Sequence, residues 1–137
     1  MARLAKLAWA APYSLLGLTA GAFALALGGR VQKRRGVIEF YGDGARRLLS
    51  LLPDGQFVIA LTLGHTIIDP SQAALDIARD HEHVHVRQFE RWGFFMGPVY
   101  LGCSLWIWLS GAGDPYRDNP FEREAYDQDR LCRGPGQ

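Results

Sequence analysis

Apolar and polar positions fall into blocks along this chain. From Leu7 to Gly29 no residue is charged. A helix needs about 20 such residues to cross a bilayer, so the block is long enough. Arg3 and Lys6 precede it, and Trp9 lies near its start, as in an interfacial anchor. Three readings are open. The block is a transmembrane anchor, a cleaved signal peptide, or a helix packed inside the protein or a dimer. Ala22-Phe23-Ala24 and Ala24-Leu25-Ala26 both fit a small-residue cleavage site. The block outruns the about 7–15 apolar residues of a signal core, which favours an uncleaved anchor over residues 7–29.

Residues 37–69 carry strand composition. Val37-Ile38-Glu39-Phe40-Tyr41 reads as a strand ending at the turn residues Gly42-Asp43-Gly44. Arg46 to Leu52 fits either another strand or a short helical turn, and Pro53-Asp54-Gly55 marks a turn. Phe57 to Leu63 and His65 to Ile68 read as one strand or as two divided at Gly64. A small antiparallel sheet is expected from these segments.

The period then changes. No glycine or proline interrupts Gln72 to Trp92, and Ser71 suits the N-cap of a helix over those residues. Ile77, His81, Val84, His85 and Gln88 share one face of it. Residues 93–113 are again uncharged, but Gly93 and Gly97-Pro98 divide them. The uninterrupted part, Val99 to Leu109, reaches only about 16 Å as a helix, too short to cross a bilayer. Asn119 as N-cap and Pro120 in the first turn predict a last helix over Pro120 to Leu131, with Gly134-Pro135-Gly136 frayed beyond it.

A chain of 137 residues suits one compact domain, here residues 30–137 behind the apolar segment 1–29. The net charge of +1 argues against a nucleic-acid partner, which usually requires a basic face. The cations that exist are clustered. Arg30, Lys33, Arg34 and Arg35 directly follow the apolar block and read as a membrane flank. Their excess over Arg3 and Lys6 places residues 30–137 on the cytoplasmic side of a membrane. Cys103 and Cys132 form no Cys-x-x-Cys pair, which excludes a cysteine-rich zinc site, and Cys103 reads as a small buried hydrophobe.

The chemistry lies in His81-Glu82-His83-Val84-His85, which contains His-Glu-x-x-His. Residues four apart stand one turn apart on a helix, so His81 and His85 can bind one metal ion together. Glu82 follows the first ligand and is placed to act as general base towards a zinc-activated water. His83 points away from that face and reads as a surface or packing residue. Catalytic zinc usually takes three protein ligands. No histidine follows, so the third must be Asp, Glu or Cys. Glu122 and Glu124 on the last predicted helix both qualify, but they face different ways and only one can serve.

His-Glu-x-x-His followed by Glu-x-x-Ala resembles the gluzincin branch of the zincin metallopeptidases. Phe121-Glu122-Arg123-Glu124-Ala125 is similar to the Glu-x-x-Ala-Asp segment of the membrane-embedded family that contains the CAAX prenyl protease and the heat-shock membrane protease. The run from His81 to Gln88 also resembles small bacterial zincin-like domains. The resemblance implies an α+β zincin-like fold with Zn2+ as cofactor and Glu122 as third ligand. Tyr126 stands where that family has an aspartate, so Glu124 stays the alternative. The chain lacks the extra membrane helices of those proteases, and their substrates do not transfer. The resemblance also implies that Leu61 to Ile68 forms the edge strand that pairs with an extended substrate.

One zinc ion cannot bind ligands on both sides of a membrane, since its bonds are about 2 Å long. The expected arrangement is therefore a hairpin: the metal helix, a turn near Gly93 to Pro98, and an apolar helix returning alongside. Trp106 and Trp108 would sit in its core or at a membrane interface. The expected function is zinc-dependent hydrolysis of a peptide or protein substrate. The alternatives are a non-catalytic zinc-binding protein attached to a membrane and a small membrane-associated interaction protein.

Overall fold

The structure, a computed structural model, describes residues 1–52 and 60–134. Its class is α+β. In chain order the elements are α1 (Ala2–Ala26), β1 (Arg30–Arg34), β2 (Val37–Tyr41), α2 (Asp43–Leu49), β3 (Leu61–Leu63), β4 (Thr66–Asp69), α3 (Gln72–Trp92), a 3-10 turn (Gly93–Phe95), α4 (Met96–Ser110) and α5 (Pro120–Arg133). The expected turn at Pro53-Asp54-Gly55, the start of the strand from Phe57, and most of Gly134-Pro135-Gly136 lie outside the described residues.

The sheet corrects the antiparallel expectation. Its strand order is β1-β2-β4-β3, and β2 pairs with β4 in parallel, Ile38 opposite Thr66 and Tyr41 opposite Asp69. Parallel neighbours need a crossover rather than a tight hairpin. The segment from Arg46, ambiguous in sequence, belongs to helix α2 and starts that crossover. Strands β3 and β4 then form a hairpin at Gly64, with β4 inserted beside β2. The basic cluster also takes a different form: Arg30, Lys33 and Arg34 lie on β1, among the described residues an outer strand of the sheet. Cations on an edge strand deter pairing with other chains. Arg35 and Gly36 both adopt positive φ, as a two-residue hairpin turn with the twist of the strands demands.

Helix α1 packs on the sheet through a stripe of small residues, Ala10, Gly17, Gly21 and Ala24, all buried. A Cβ on Gly21 would fall 2.2 Å from the Phe40 ring, so the helix backbone approaches the core directly. Phe40, Ala45, Leu49 and Ile68 complete that core. The opposite side of α1 presents Leu4, Leu15, Leu16 and Phe23 outward. Helix α4 is similarly exposed through Leu101, Leu105, Trp106, Trp108 and Leu109. The two tryptophans are therefore outside the protein core. By length and composition, α1 and the continuous helical run Gln72–Ser110 are each long and apolar enough to cross a membrane.

Helix α3 begins at Ser71, whose hydroxyl accepts a hydrogen bond from the Ala74 amide, and ends at Gly93 with φ 54°. That glycine makes the break. Gly97 and Pro98 instead lie in the first turn of α4, where the missing proline N–H has no intrahelical partner to lose. The return towards α3 is also made differently from expectation. Helix α5, rather than α4, packs along α3. Asn119 fixes the junction: its side chain accepts from the Phe121 amide and donates to Ser104 Oγ and the Tyr100 carbonyl on α4. Cys103 is half-buried beside the Ala10, Phe89, Met96 and Phe121 cluster.

Candidate metal centre

The spacing of α3 puts the His81 and His85 rings one turn apart, their centroids 5.1 Å from each other. Val84 and Gln88 are buried on the same side of the helix, whereas Ile77 is exposed. At the end of α5, Arg133 donates to the Ile77 backbone carbonyl.

Helix α5 brings the third group. Glu122 Oε2 lies 3.4 Å from His81 Nε2 and 3.4 Å from His85 Nε2. Its other oxygen, Oε1, accepts a hydrogen bond from the Tyr100 hydroxyl at 2.8 Å. Oε2 itself is buried and has no hydrogen-bond partner among the described residues. Ligand atoms of the three residues all fall within 4.8 Å of one another. Glu124 is engaged elsewhere, accepting from Gln88 Nε2 at 2.8 Å and from Arg91. Of the two glutamates that the sequence left open, Glu122 is the one beside the histidines.

The surrounding groups orient this trio. His85 Nδ1 lies 2.9 Å from Gln88 Oε1, and an amide oxygen can only accept. The bond therefore puts a proton on Nδ1 and turns Nε2 towards Glu122. Gln88 is in turn fixed by donating to the Phe121 carbonyl. The Tyr126 ring packs on His81 with centroids 4.6 Å apart.

Burial and charge act against each other here. Burial disfavours the charged form of His85, but the neighbouring Glu122 carboxylate outweighs it and lifts the imidazole to about 9. Burial likewise raises Glu122, yet the neighbouring His81 and His85 imidazoles outweigh it and bring the carboxyl down to about 2.

Glu82 is buried beside the trio. Its Oε2 accepts a hydrogen bond of 2.5 Å from the Thr62 hydroxyl on β3. Thr62, Tyr100 and Gln88 were not assigned roles from the sequence. Only Gln88 left a trace, through its place on the metal face of α3. Among the described residues β3 is an edge of the sheet, while β4 is internal, so the edge comprises Leu61–Leu63 and not the full run to Ile68. A cavity of 410 Å³ opens between this edge, α3 and α4. Glu82, His85 and Glu122 stand on its wall with Leu63, Phe89 and Met96.

His65 and His83 lie away from the trio. His65 hydrogen-bonds Glu90 and Ser14, and His83 is half-buried on another side of α3. No protein-family model, curated protein or solved structure matches the chain.

Proposed function

We propose that the chain is a membrane-attached, zinc-dependent peptide hydrolase with His81, His85 and Glu122 as ligands and Glu82 as general base. One observation carries this reading: Glu122 Oε2, buried and without a hydrogen-bond partner among the described residues, stands 3.4 Å from each of two imidazole Nε2 atoms. Two tetrahedral ligand atoms about 2 Å from a shared zinc ion are separated by about 3.3 Å. The donor set of two imidazoles and a carboxylate also matches the preference of catalytic zinc.

A zinc ion bound there supplies Lewis acidity and draws the pKa of a coordinated water towards neutrality. The protein's own groups do the rest. Glu82 takes a proton from the attacking water as the water oxygen bonds to the scissile carbonyl carbon. It delivers that proton to the departing amine nitrogen as the C–N bond breaks. Thr62 holds the Glu82 carboxylate by one oxygen, and Tyr100 holds Glu122. The edge β3, next to the apolar cavity, offers backbone groups to an extended peptide.

The outward apolar faces of α1 and α4 support attachment to a bilayer. Arg3, Lys6, Arg35 and Arg87 lie together on one side of the molecule, and that cationic side supports a cytoplasmic site. Single cysteines near residues 75 and 130, introduced after removal of Cys103 and Cys132, should both resist external labelling in intact cells. Labelling of both from outside reverses the orientation, and opposite accessibility removes the shared site.

Glu82→Gln tests the chemistry. The variant should keep one zinc per chain and lose peptide cleavage by at least about 10²–10⁴-fold. Unchanged cleavage refutes the base assignment. Zinc in wild type equal to that in His85→Ala refutes the centre itself.

A further inference from the structure

A second face of α3 is built differently from the metal face. His83, Val86, Arg87 and Glu90 follow one another at helical spacing and line a cavity of 580 Å³, within the usual range of ligand sites. The first turns of α1 close one side of it with Arg3 and Lys6, and the β1–β2 turn closes another with Arg35 and Gly36. Four cations thus converge from three elements far apart in sequence. Among the described residues the only carboxylate on the wall is Glu90, which is already held by Lys6 at 3.3 Å and by His65 at 3.1 Å. Arg35 reaches Asp80 at 2.9 Å. Arg3 and Arg87 have no carboxylate partner among the described residues. His83 Nε2 is buried in the same region with no hydrogen-bond partner among them.

The neighbourhood of this cavity is apolar and aromatic. Leu7 lies on its wall, and Trp9 follows on α1. The Trp9 ring lies 6.3 Å from that of Phe95, and Phe95 lies 6.0 Å from Phe94. All three rings are exposed. Exposed tryptophan and phenylalanine on the helical runs that also carry Arg3 and Arg87 suit a bilayer's headgroup level.

We infer that the cavity between α1, α3 and the β1–β2 turn binds a phosphate-bearing anion, with Arg3 and Arg87 as its free cationic contacts. Guanidinium groups match phosphate oxygens by paired hydrogen bonds. His83 Nε2 supplies a further polar contact, and the N-terminal turn of α1 adds its partial positive charge. The chemistry is shared by a phospholipid headgroup and by free phosphate. The site is separate from the histidine–glutamate trio and does not depend on it.

The test titrates the full chain, in an uncharged detergent, with phosphatidylglycerol, phosphatidylcholine or inorganic phosphate. Bound phosphorus and thermal midpoint are the readouts. Phosphatidylglycerol should bind and raise the midpoint above the phosphatidylcholine value. Arg3→Gln and Arg87→Gln should each weaken that binding about fivefold. Lys33→Gln and Arg34→Gln, on the same hairpin but outside the cavity wall, should leave it unchanged. Inorganic phosphate that competes through the same two arginines identifies a free anion as occupant; a response to the lipid alone identifies a headgroup. Absence of binding by both overturns the assignment. So does equal loss in the Lys33 and Arg34 variants, because diffuse charge would then explain the effect.

Discussion

The Thr62 hydroxyl donates a 2.5 Å hydrogen bond to Glu82, joining strand β3 to the helix that carries both histidines. The bond uses one carboxylate oxygen of the proposed base and fixes its direction. It also makes the placement of the base depend on the strand proposed to bind substrate.

Thr62→Val keeps the branched shape and removes the donor. Hydrogen bonds to charged groups contribute about 1.5–3 kcal/mol. The variant should therefore lower kcat about 10- to 100-fold while zinc content stays at the wild-type level. Thr62→Ser, which restores the hydroxyl, should recover most of the rate. A purely structural role for Thr62 predicts parallel loss of zinc and no rescue by serine.

The two acidic residues of α5 should separate in metal content. Glu122→Gln should lose zinc, because its Oε2 is the atom next to both imidazoles. Glu124→Gln should retain it, since Glu124 contacts Gln88 and Arg91 instead. Loss of the Gln88 contact is expected to weaken zinc binding by no more than about 10–100-fold, as for other groups that orient a ligand. Elemental analysis and competition with a chelator measure both. The reverse order of sensitivity makes Glu124 the ligand.

How much of this was legible in the sequence follows from where each signal resides. The bounds of α3 are local: Ser71 caps it, nothing interrupts it, and Gly93 ends it, so Gln72–Trp92 could be read directly. Asn119 and Pro120 marked the start of α5 for the same reason. The strand β1 was hidden because Arg30, Lys33 and Arg34 have the composition of a membrane flank, and only pairing with β2 makes them a strand. The parallel β2–β4 pair depends on a crossover, which strand composition does not encode. Thr62 and Tyr100 carry no motif. Their roles arise when β3 and α4 are folded against α3 and α5, so no local pattern announces them. That Glu122 rather than Glu124 stands beside the histidines likewise depends on how α5 packs on α3.

The close fit of α1 can be tested at Gly21. Its missing Cβ is what admits the Phe40 ring, and Phe40 belongs to the buried core. Gly21→Ala forces the ring or the helix to shift and should destabilise the fold by about 1–3 kcal/mol. Gly28→Ala serves as a comparison, since nothing lies within 4 Å of its Cβ position, although its φ of +94° adds backbone strain. An exposed change such as Leu15→Ala should move the thermal midpoint much less in detergent. If Gly21→Ala is as mild as Leu15→Ala, α1 is not docked on the sheet in solution.

Asp69 sets a stability trend with pH. It ends β4, where its Oδ1 accepts the Ser71 amide while Oδ2 is buried without a partner among the described residues. Burial raises its pKa to about 6, against 3.8 for the free side chain, and the nearby Glu82 and Glu39 carboxylates act in the same direction. The folded protein therefore holds this proton more tightly than the unfolded chain does. Below about pH 3.8 both states are protonated and the full favourable contribution is present. As pH rises towards about 6 the unfolded chain ionises first, and that contribution is lost; above it both states are ionised and the effect is constant. The loss amounts to about 2–3 kcal/mol at most. Asp69→Asn keeps the acceptor for Ser71 and removes the titration. Its unfolding free energy, followed by denaturant titration between pH 4 and 7, should lack this downward slope relative to wild type. Parallel pH profiles for the two proteins would show that the Asp69 carboxyl titrates as it does in the unfolded chain.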